Sequence, residues 1–203
     1  MWWMINLRRW LAPLALLAAL GFAAPAMAQF TESYNFLKAV REKDARKAIE
    51  IIDKPGNTVI NTRDSDTGEA AIHIAAKRAD ASWVGFLLQK GANANARDRE
   101  GNTPLMLATQ ARWGEGVQLF IQLKAQLDLQ NRLGETALQI AVRNRDSSAA
   151  KMLADAGASP DINDSTGISA RALAEGDPRA AAIGRIFKDM PVRKPRPAQG
   201  PSL

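Results

Sequence analysis

Few side chains in this chain could do chemistry, because its 203 residues contain one histidine and no cysteine. Any serine–histidine–acid triad would need His73 as its base, and the Gly-x-Ser-x-Gly turn that presents such a serine does not occur. The lack of cysteine excludes disulfides, thiolate nucleophiles and thiolate metal sites. We therefore predict that the chain is not an enzyme. A hydrolase using His73 is the weaker alternative, and His73→Ala would then abolish activity without unfolding the chain.

Acidic side chains cluster at predicted hairpin turns, but they lack metal-site spacing. These residues are Asp64, Asp66, Asp98, Glu100 and Asp164. None follows the Asp-x-Asp-x-Asp-Gly pattern of a calcium loop, and no glycine-rich phosphate loop is present. Aspartate suits turns because its carboxylate accepts hydrogen bonds from nearby backbone amides. We predict no metal and no cofactor.

The elements that position these residues are repeats. Gly68, Gly101, Gly134 and Gly167 follow one another at intervals of 33 residues, and a fixed period of this length is typical of a solenoid. Each unit carries two short apolar runs with helical spacing, which predict a pair of helices that each bury one face. Glycines just past the second run, such as Gly91, suit the left-handed backbone that ends a helix.

The repeat also carries a recognisable motif, divided between units. Thr103-Pro104-Leu105 supplies its start and His73-Ile74-Ala75 its end. The chain thus resembles the ankyrin repeat family, whose unit of about 33 residues carries Thr-Pro-Leu-His-x-Ala. The resemblance implies an all-α solenoid of helix pairs joined by β-hairpin-like loops, with about five units including caps. It also implies that His73 hydrogen-bonds the backbone of the neighbouring loop.

We place the ankyrin repeat domain at residues 29–188. Its predicted units are 31–60, 61–97, 98–130, 131–163 and 164–188. The first is a capping helix pair and the last a shortened unit. In that last unit, Arg171 and Glu175 replace apolar or small residues, and we expect them to meet water at the end of the stack.

Residues 1–28 predict a cleaved signal peptide. Arg8 and Arg9 precede an acid-free apolar run over 10–24, and Ala26-Met27-Ala28 is a small-x-small cleavage site. The run is shorter than the ~20 residues that a spanning helix needs. We expect a periplasmic protein without a membrane span after cleavage. Export as a folded chain by the twin-arginine route and secretion beyond the outer membrane are alternatives.

The C-terminal segment has a different composition. Residues 189–203 interleave basic residues with prolines, which predicts a disordered tail. Loss of Arg8 and Arg9 with the signal peptide lowers the formal net charge from +6 to +4. Positive and negative side chains are interspersed, so we predict no nucleic-acid binding. We expect a monomer.

The resemblance implies protein recognition by the hairpin tips and the exposed ends of the first helices, which line a concave face. By register, the predicted protein-binding residues are Lys77, Arg78, Arg99, Arg112, Trp113, Arg132, Arg143 and Arg145. The cations predict a basic stripe that would attract an acidic partner surface. The alternative is an ordinary solvated face, because Glu69, Glu100 and Glu135 lie close by. Trp113 could anchor a partner or fill the groove between repeats, where Gly114 and Gly116 make room for its ring.

These observations predict a non-catalytic protein that binds another protein and could support an envelope enzyme or a stress response. The alternative function is an inhibitor or immunity-type protein that occludes the active site of its partner. No residue identifies that partner, because the variable positions of such repeats follow no general code.

Overall fold

The computed structural model describes residues 23–192, with side chains from residue 31 onward. This part of the chain forms ten α-helices, two short 3-10 helices and no strands apart from isolated bridges at two hairpins. The predicted all-α architecture is confirmed. Residues 1–22 of the predicted signal peptide and 193–203 of the predicted tail lie outside the described residues.

The chain divides into two compact units, of which residues 1–59 form the first. Its described part is a helix pair, α1 over Ala23–Glu42 and α2 over Ala45–Ile52. The predicted cleavage site, 26–28, lies within the backbone of α1. Asp44 begins α2 as its N-cap, since its carboxylate accepts a hydrogen bond from the Lys47 amide at 3.0 Å.

The second unit, residues 60–203, contains four further helix pairs. They are α3 (Ala71–Lys77) with α4 (Ala81–Gln89), α5 (Pro104–Gln110) with α6 (Gly114–Gln122), α7 (Ala137–Arg143) with α8 (Ser147–Asp155), and α9 (Ala170–Gly176) with α10 (Ala181–Lys188). The first helices of the pairs, α3, α5, α7 and α9, pack one against the next. They are mostly buried except for their last turns, so those turns and the hairpins remain for recognition.

Local sequence explains where these helices begin. The Thr103 hydroxyl accepts a hydrogen bond from the Met106 amide at 3.3 Å, and Pro104 takes the first helical position of α5. The Asp80 carboxylate accepts from the Trp83 amide at 3.2 Å at the start of α4. Each cap supplies an acceptor to an amide that has no partner within its helix.

Two of the glycines that set the 33-residue period are needed because the backbone there has a positive φ and lies close to the next hairpin. Gly68 and Gly134 have φ angles of +69° and +76°, in the left-handed region that favours glycine. A Cβ at Gly68 would lie 2.6 Å from the amide nitrogen of Arg99, and one at Gly134 would lie 2.5 Å from that of Ser165. Gly167 has a similar φ of +82° but no such neighbour. The period therefore reflects the close passage of one hairpin backbone over the next.

The last unit differs from expectation at Arg171. This side chain is only 17% exposed, and it pairs with Asp161, with 2.7 Å between Nε and Oδ1. It also donates to the Phe187 carbonyl. One repeat earlier, Asp128 accepts a hydrogen bond from the Ser159 amide of the following repeat at 2.9 Å. Asp161 bonds to Arg171 instead, so this arginine holds the end of the stack rather than facing water.

Candidate protein-binding surface

The hairpin tips of the second unit are joined by backbone hydrogen bonds, which we call the hairpin ladder. The ladder consists of Arg99 N to Thr67 O at 2.9 Å, Arg132 N to Glu100 O at 2.8 Å, and Ser165 N to Leu133 O at 2.9 Å. Each tip thus donates to the preceding tip. The ladder fixes the spacing of successive tips and leaves their side chains to vary.

His73 supports the ladder from within the stack. Its Nδ1 accepts a hydrogen bond from the Ala70 amide at 3.1 Å, so the proton lies on Nε2. That nitrogen donates to the carbonyl oxygens of Ala96 and Asn102 at 3.0 and 3.2 Å. Burial lowers the pKa of His73. Both ring nitrogens bond to backbone, as the resemblance implied, and no serine hydroxyl is bonded to either.

Two predicted binding residues at the ends of first helices are neutralised by carboxylates. Lys77 pairs with Glu69, with 2.6 Å between Nζ and Oε1. Arg143 pairs with Glu135 at 3.0 Å and with Asp164 at 2.9 Å. The Asp164 carboxyl has a lowered pKa, mainly because the Thr166 hydroxyl donates to it, with backbone amides and Arg143 adding to the effect. These ion pairs divide the predicted basic stripe.

The remaining helix-end cations also have partners. Arg145 pairs with Asp177 at 2.8 Å, and this hydrogen bond lowers the pKa of Asp177. Arg78 lies 3.7 Å from Asp80, and Arg112 donates to the carbonyl of Asn144. We infer that these side chains mainly brace the turns between first and second helices.

Arg99 and Arg132 differ from Lys77, Arg78, Arg143 and Arg145, each of which lies near a carboxylate. Both are exposed on adjacent hairpin tips. Arg99 donates to the Ser65 carbonyl at 2.6 Å, and no carboxylate of the described residues forms a salt bridge with either arginine.

Leu133 lies beside Arg132 on the same predicted hairpin tip but was not among the predicted binding residues. Its side chain is 62% exposed, although the equivalent positions in the other repeats hold Thr67, Glu100 and Thr166. An apolar residue at a position that is polar in the other three tips was the signal that could have identified it. We name Arg99, Arg132 and Leu133 the hairpin-tip patch.

Trp113 is largely buried. It is 9% exposed, and its ring occupies the space where a Cβ of residue 116 would lie. Gly116 therefore makes room for the ring, as the sequence suggested. Trp83 is equally buried and meets Phe86 edge to face, with 5.7 Å between ring centroids. These contacts favour a packing role for both tryptophans.

Within residues 23–192, no three histidine, cysteine or acidic side chains are grouped so that they could hold a metal ion. No helix in the same range has the length and apolar character needed to cross a bilayer.

Stacked helix pairs, a hairpin ladder and variable tips define a repeat protein of the kind that presents a binding surface. The sequence pattern of ankyrin repeats matches residues 36–131 and, in an overlapping match, 72–166, together more than half of the chain. The chain belongs to the ankyrin repeat family. Ankyrin repeats imply protein–protein interaction, and proteins built from them are generally non-catalytic interaction modules.

A partial relative supports the same assignment. Over 68 residues the chain is 34% identical to Rabankyrin-5 of Homo sapiens. The matched stretch is 34% of this chain and 6% of the human protein. The chain therefore matches only a small part of the length of the human protein.

Proposed function

We propose that this chain is a non-catalytic periplasmic protein that binds an acidic partner protein, as a monomer, through its hairpin tips. The observation that carries this proposal is the contrast between two groups of predicted binding residues. The helix-end cations Lys77, Arg143 and Arg145 pair with carboxylates, whereas no carboxylate in the described part of the chain pairs with Arg99 or Arg132, which stand near an exposed leucine. The hairpin-tip patch, rather than the ends of the first helices, is thus the centre of the binding surface.

The proposed mechanism of binding is preorganisation. The hairpin ladder holds the tips before a partner arrives, so docking orders few additional residues and loses little conformational entropy. The two arginines accelerate encounter with an acidic surface, and this effect weakens as salt rises. Leu133 contributes apolar area that leaves water on binding. The best partner surface is acidic with an apolar side chain near its centre.

The periplasmic location is supported by the pattern of residues 1–28. In that compartment the protein could support an envelope enzyme or a stress response. Fractionation of cells that express the full chain tests the location. Mass spectrometry should find Gln29 as the first residue of the periplasmic form, whereas retention of residues 1–28 would contradict cleavage.

Co-purification tests the binding surface. The Arg99→Glu/Arg132→Glu variant should lose a partner that the parent retains from periplasmic extract. Arg185→Glu/Lys188→Glu is the matched control, because it makes the same charge change at exposed residues of α10. All three proteins should first show equal circular dichroism and melting. Recovery of the same partner by all three would contradict the proposal.

The inhibitor alternative requires one further measurement. If the captured partner is an enzyme, its activity is assayed with and without an excess of this protein. Loss of activity would support an inhibitor or immunity-type protein, whereas unchanged or increased activity would support a stabilising role. Failure of the charge-reversal experiment would count against both functions at the hairpin-tip patch.

A further inference from the structure

The second helices of the stack are not packed equally. Helix α6 packs against α8, and α8 packs against α10. Helices α4 and α6 lack comparable packing, although their first-helix neighbours α3 and α5 pack closely. At the junction between the repeats 61–97 and 98–130, the second helices are therefore packed less closely than the first helices, although their inward side chains, such as Leu87 and Phe120, are buried.

Helix α6 also begins without a side-chain cap. The position 33 residues after Asp80 and 33 before Asp146 holds Trp113. Asp146 accepts a hydrogen bond from the Ala149 amide at 2.9 Å, but Trp113 offers no acceptor to α6. Loss of an aspartate cap weakens the first turn of a helix.

Two glycines weaken the same turn. Gly114 and Gly116 lie in the first three positions of α6, and glycine has a low helix propensity because it loses the most backbone entropy. Gly116 is required by the Trp113 ring. Gly114 is not required for space, since an added Cβ would meet only Met152 Cε at an ordinary 3.7 Å.

The end of α6 has a weakness of its own. Lys124 follows this helix with a φ of +55°, whereas the equivalent positions after α4 and α8 hold Gly91 and Gly157. A side chain in the left-handed region is less favourable than glycine. Local sequence therefore opposes α6 at both ends, while its neighbours are capped.

The first-helix side of this junction is firmly held. The ring of His73 bonds to two carbonyls of the next loop, and Arg99 N bonds to Thr67 O. From these contrasts we propose that the junction is a hinge, in which α6 opens away from α4 while the hairpin ladder stays intact. The opening changes the outer separation of the two repeats and leaves the tips in place. This inference goes beyond the proposed function, because it does not depend on any partner.

Hydrogen exchange of the native chain tests the hinge at three equivalent amides. Val84, Val117 and Ala150 are spaced by 33 residues, and each donates to the N-cap carbonyl of its own helix at 2.9 to 3.0 Å. We expect the Val117 amide to exchange at least roughly tenfold faster than the other two, because α6 lacks a cap and contains two glycines. Equal protection of the three amides would overturn the proposal.

A matched pair of substitutions separates the hinge from general loosening. Gly114→Ala should slow exchange at Val117 by roughly fivefold, since alanine favours the helix. Gly85→Ala makes the same change in α4, where the added methyl group has open space, and should leave Val117 unchanged. If both variants slow Val117 equally, or neither does, α6 is not the element that opens.

Spin-label distances test the motion itself. Gly85, Gln118 and Lys151 are exposed equivalents on the three second helices, and the chain has no cysteine to interfere with labelling. Dipolar broadening in continuous-wave electron paramagnetic resonance of the frozen protein, which reports the short distances between adjacent helices, should give a broader distance distribution for the 85–118 pair than for the 118–151 pair. Distributions of equal width would contradict a hinge between α4 and α6.

Discussion

The junctions between repeats share one backbone ladder but differ in the side chain at the third position of the first helix. His73 and Gln139, two repeats apart, make the same two-way connection. Gln139 Oε1 accepts from the Thr136 amide at 2.8 Å, and its Nε2 donates to the Ile168 carbonyl at 2.8 Å. An amide thus replaces an imidazole, because the site requires one acceptor and one donor.

The intervening junction has Met106 at the same position. Its sulfur accepts from the Thr103 amide at 3.4 Å, but a thioether has no proton to donate to the following loop. That loop is connected by Asn131 instead, whose Nδ2 lies 3.2 Å from Asn102 Oδ1. The backbone ladder is thus present at all three junctions of the second unit, whereas the helix-to-loop connection is made by different side chains or left out.

The largest effect is expected when the ladder is obstructed. Gly134→Ala should lower the free energy of unfolding by about 3 kcal/mol. The added methyl group would collide with the Ser165 backbone, and the alanine would have to keep the positive φ of residue 134. Gly167→Ala imposes a similar φ without that contact and should cost about 1 kcal/mol. Urea unfolding of both variants measures the difference. Equal losses would show that φ alone, not hairpin passage, explains the period.

A smaller loss of stability is expected when the side-chain donor that connects a first helix to the following loop is replaced by methionine, as at residue 106. Gln139→Met should lower the free energy of unfolding by about 1 kcal/mol, because the Ile168 carbonyl loses one of its two donors and keeps only the Asp164 amide. His73→Gln serves as the control, since glutamine already makes the connection at residue 139. A loss for the control as large as that for Gln139→Met would contradict the equivalence of the two side chains.

The histidine junction should also be the one that responds to mild acid. Burial lowers the pKa of His73 in the folded chain, so below the unfolded value of about 6.5 the unfolded state binds a proton that the folded state does not. Stability from this residue is therefore complete above pH 7 and declines as pH falls toward 5. Urea unfolding at several pH values should show a smaller decline in His73→Gln. The carboxyls with altered pKa values, Asp164 and Asp177, are shifted downward and titrate at lower pH.

The smallest effect is a gain at the unconnected junction. Met106→Gln should raise the free energy of unfolding by less than about 1 kcal/mol, since one added hydrogen bond contributes about that much and the residue is already well packed. Thermal melting beside the isosteric control Met106→Leu measures the gain. If leucine raised the stability as much as glutamine, the gain would come from packing, and the missing donor at residue 106 would not explain how this junction differs from the other two.

Much of the fold could be predicted from sequence, because it rests on local or strictly periodic requirements. The helix pairs follow from apolar runs, and the caps at Asp80 and Thr103 act over three residues. The connection made by His73 was implied by the family resemblance. The similar role of Gln139 was not predicted, because no motif marks glutamine at that position.

The binding surface was predicted less completely. The tips that carry Arg99, Arg132 and Leu133 followed from register, but Leu133 was not chosen as a binding residue because a single exposed leucine carries no motif. Trp113 could be placed at the start of the second helix, yet its burial depended on the space above Gly116. The predicted unit boundaries, the signal peptide and the tail remain predictions.

By itself, the sequence determined the repeat, the helix pairs and the position of each hairpin, since glycine conformation, capping and apolar periodicity act at short range or at a constant interval. The tertiary structure decided which cations are neutralised and how closely the second helices pack. Arg145, for example, meets Asp177 from 32 residues away, and Arg171 turns inward to Asp161. Such pairings depend on distances between side chains of different repeats, and those distances exist only when the repeats are stacked.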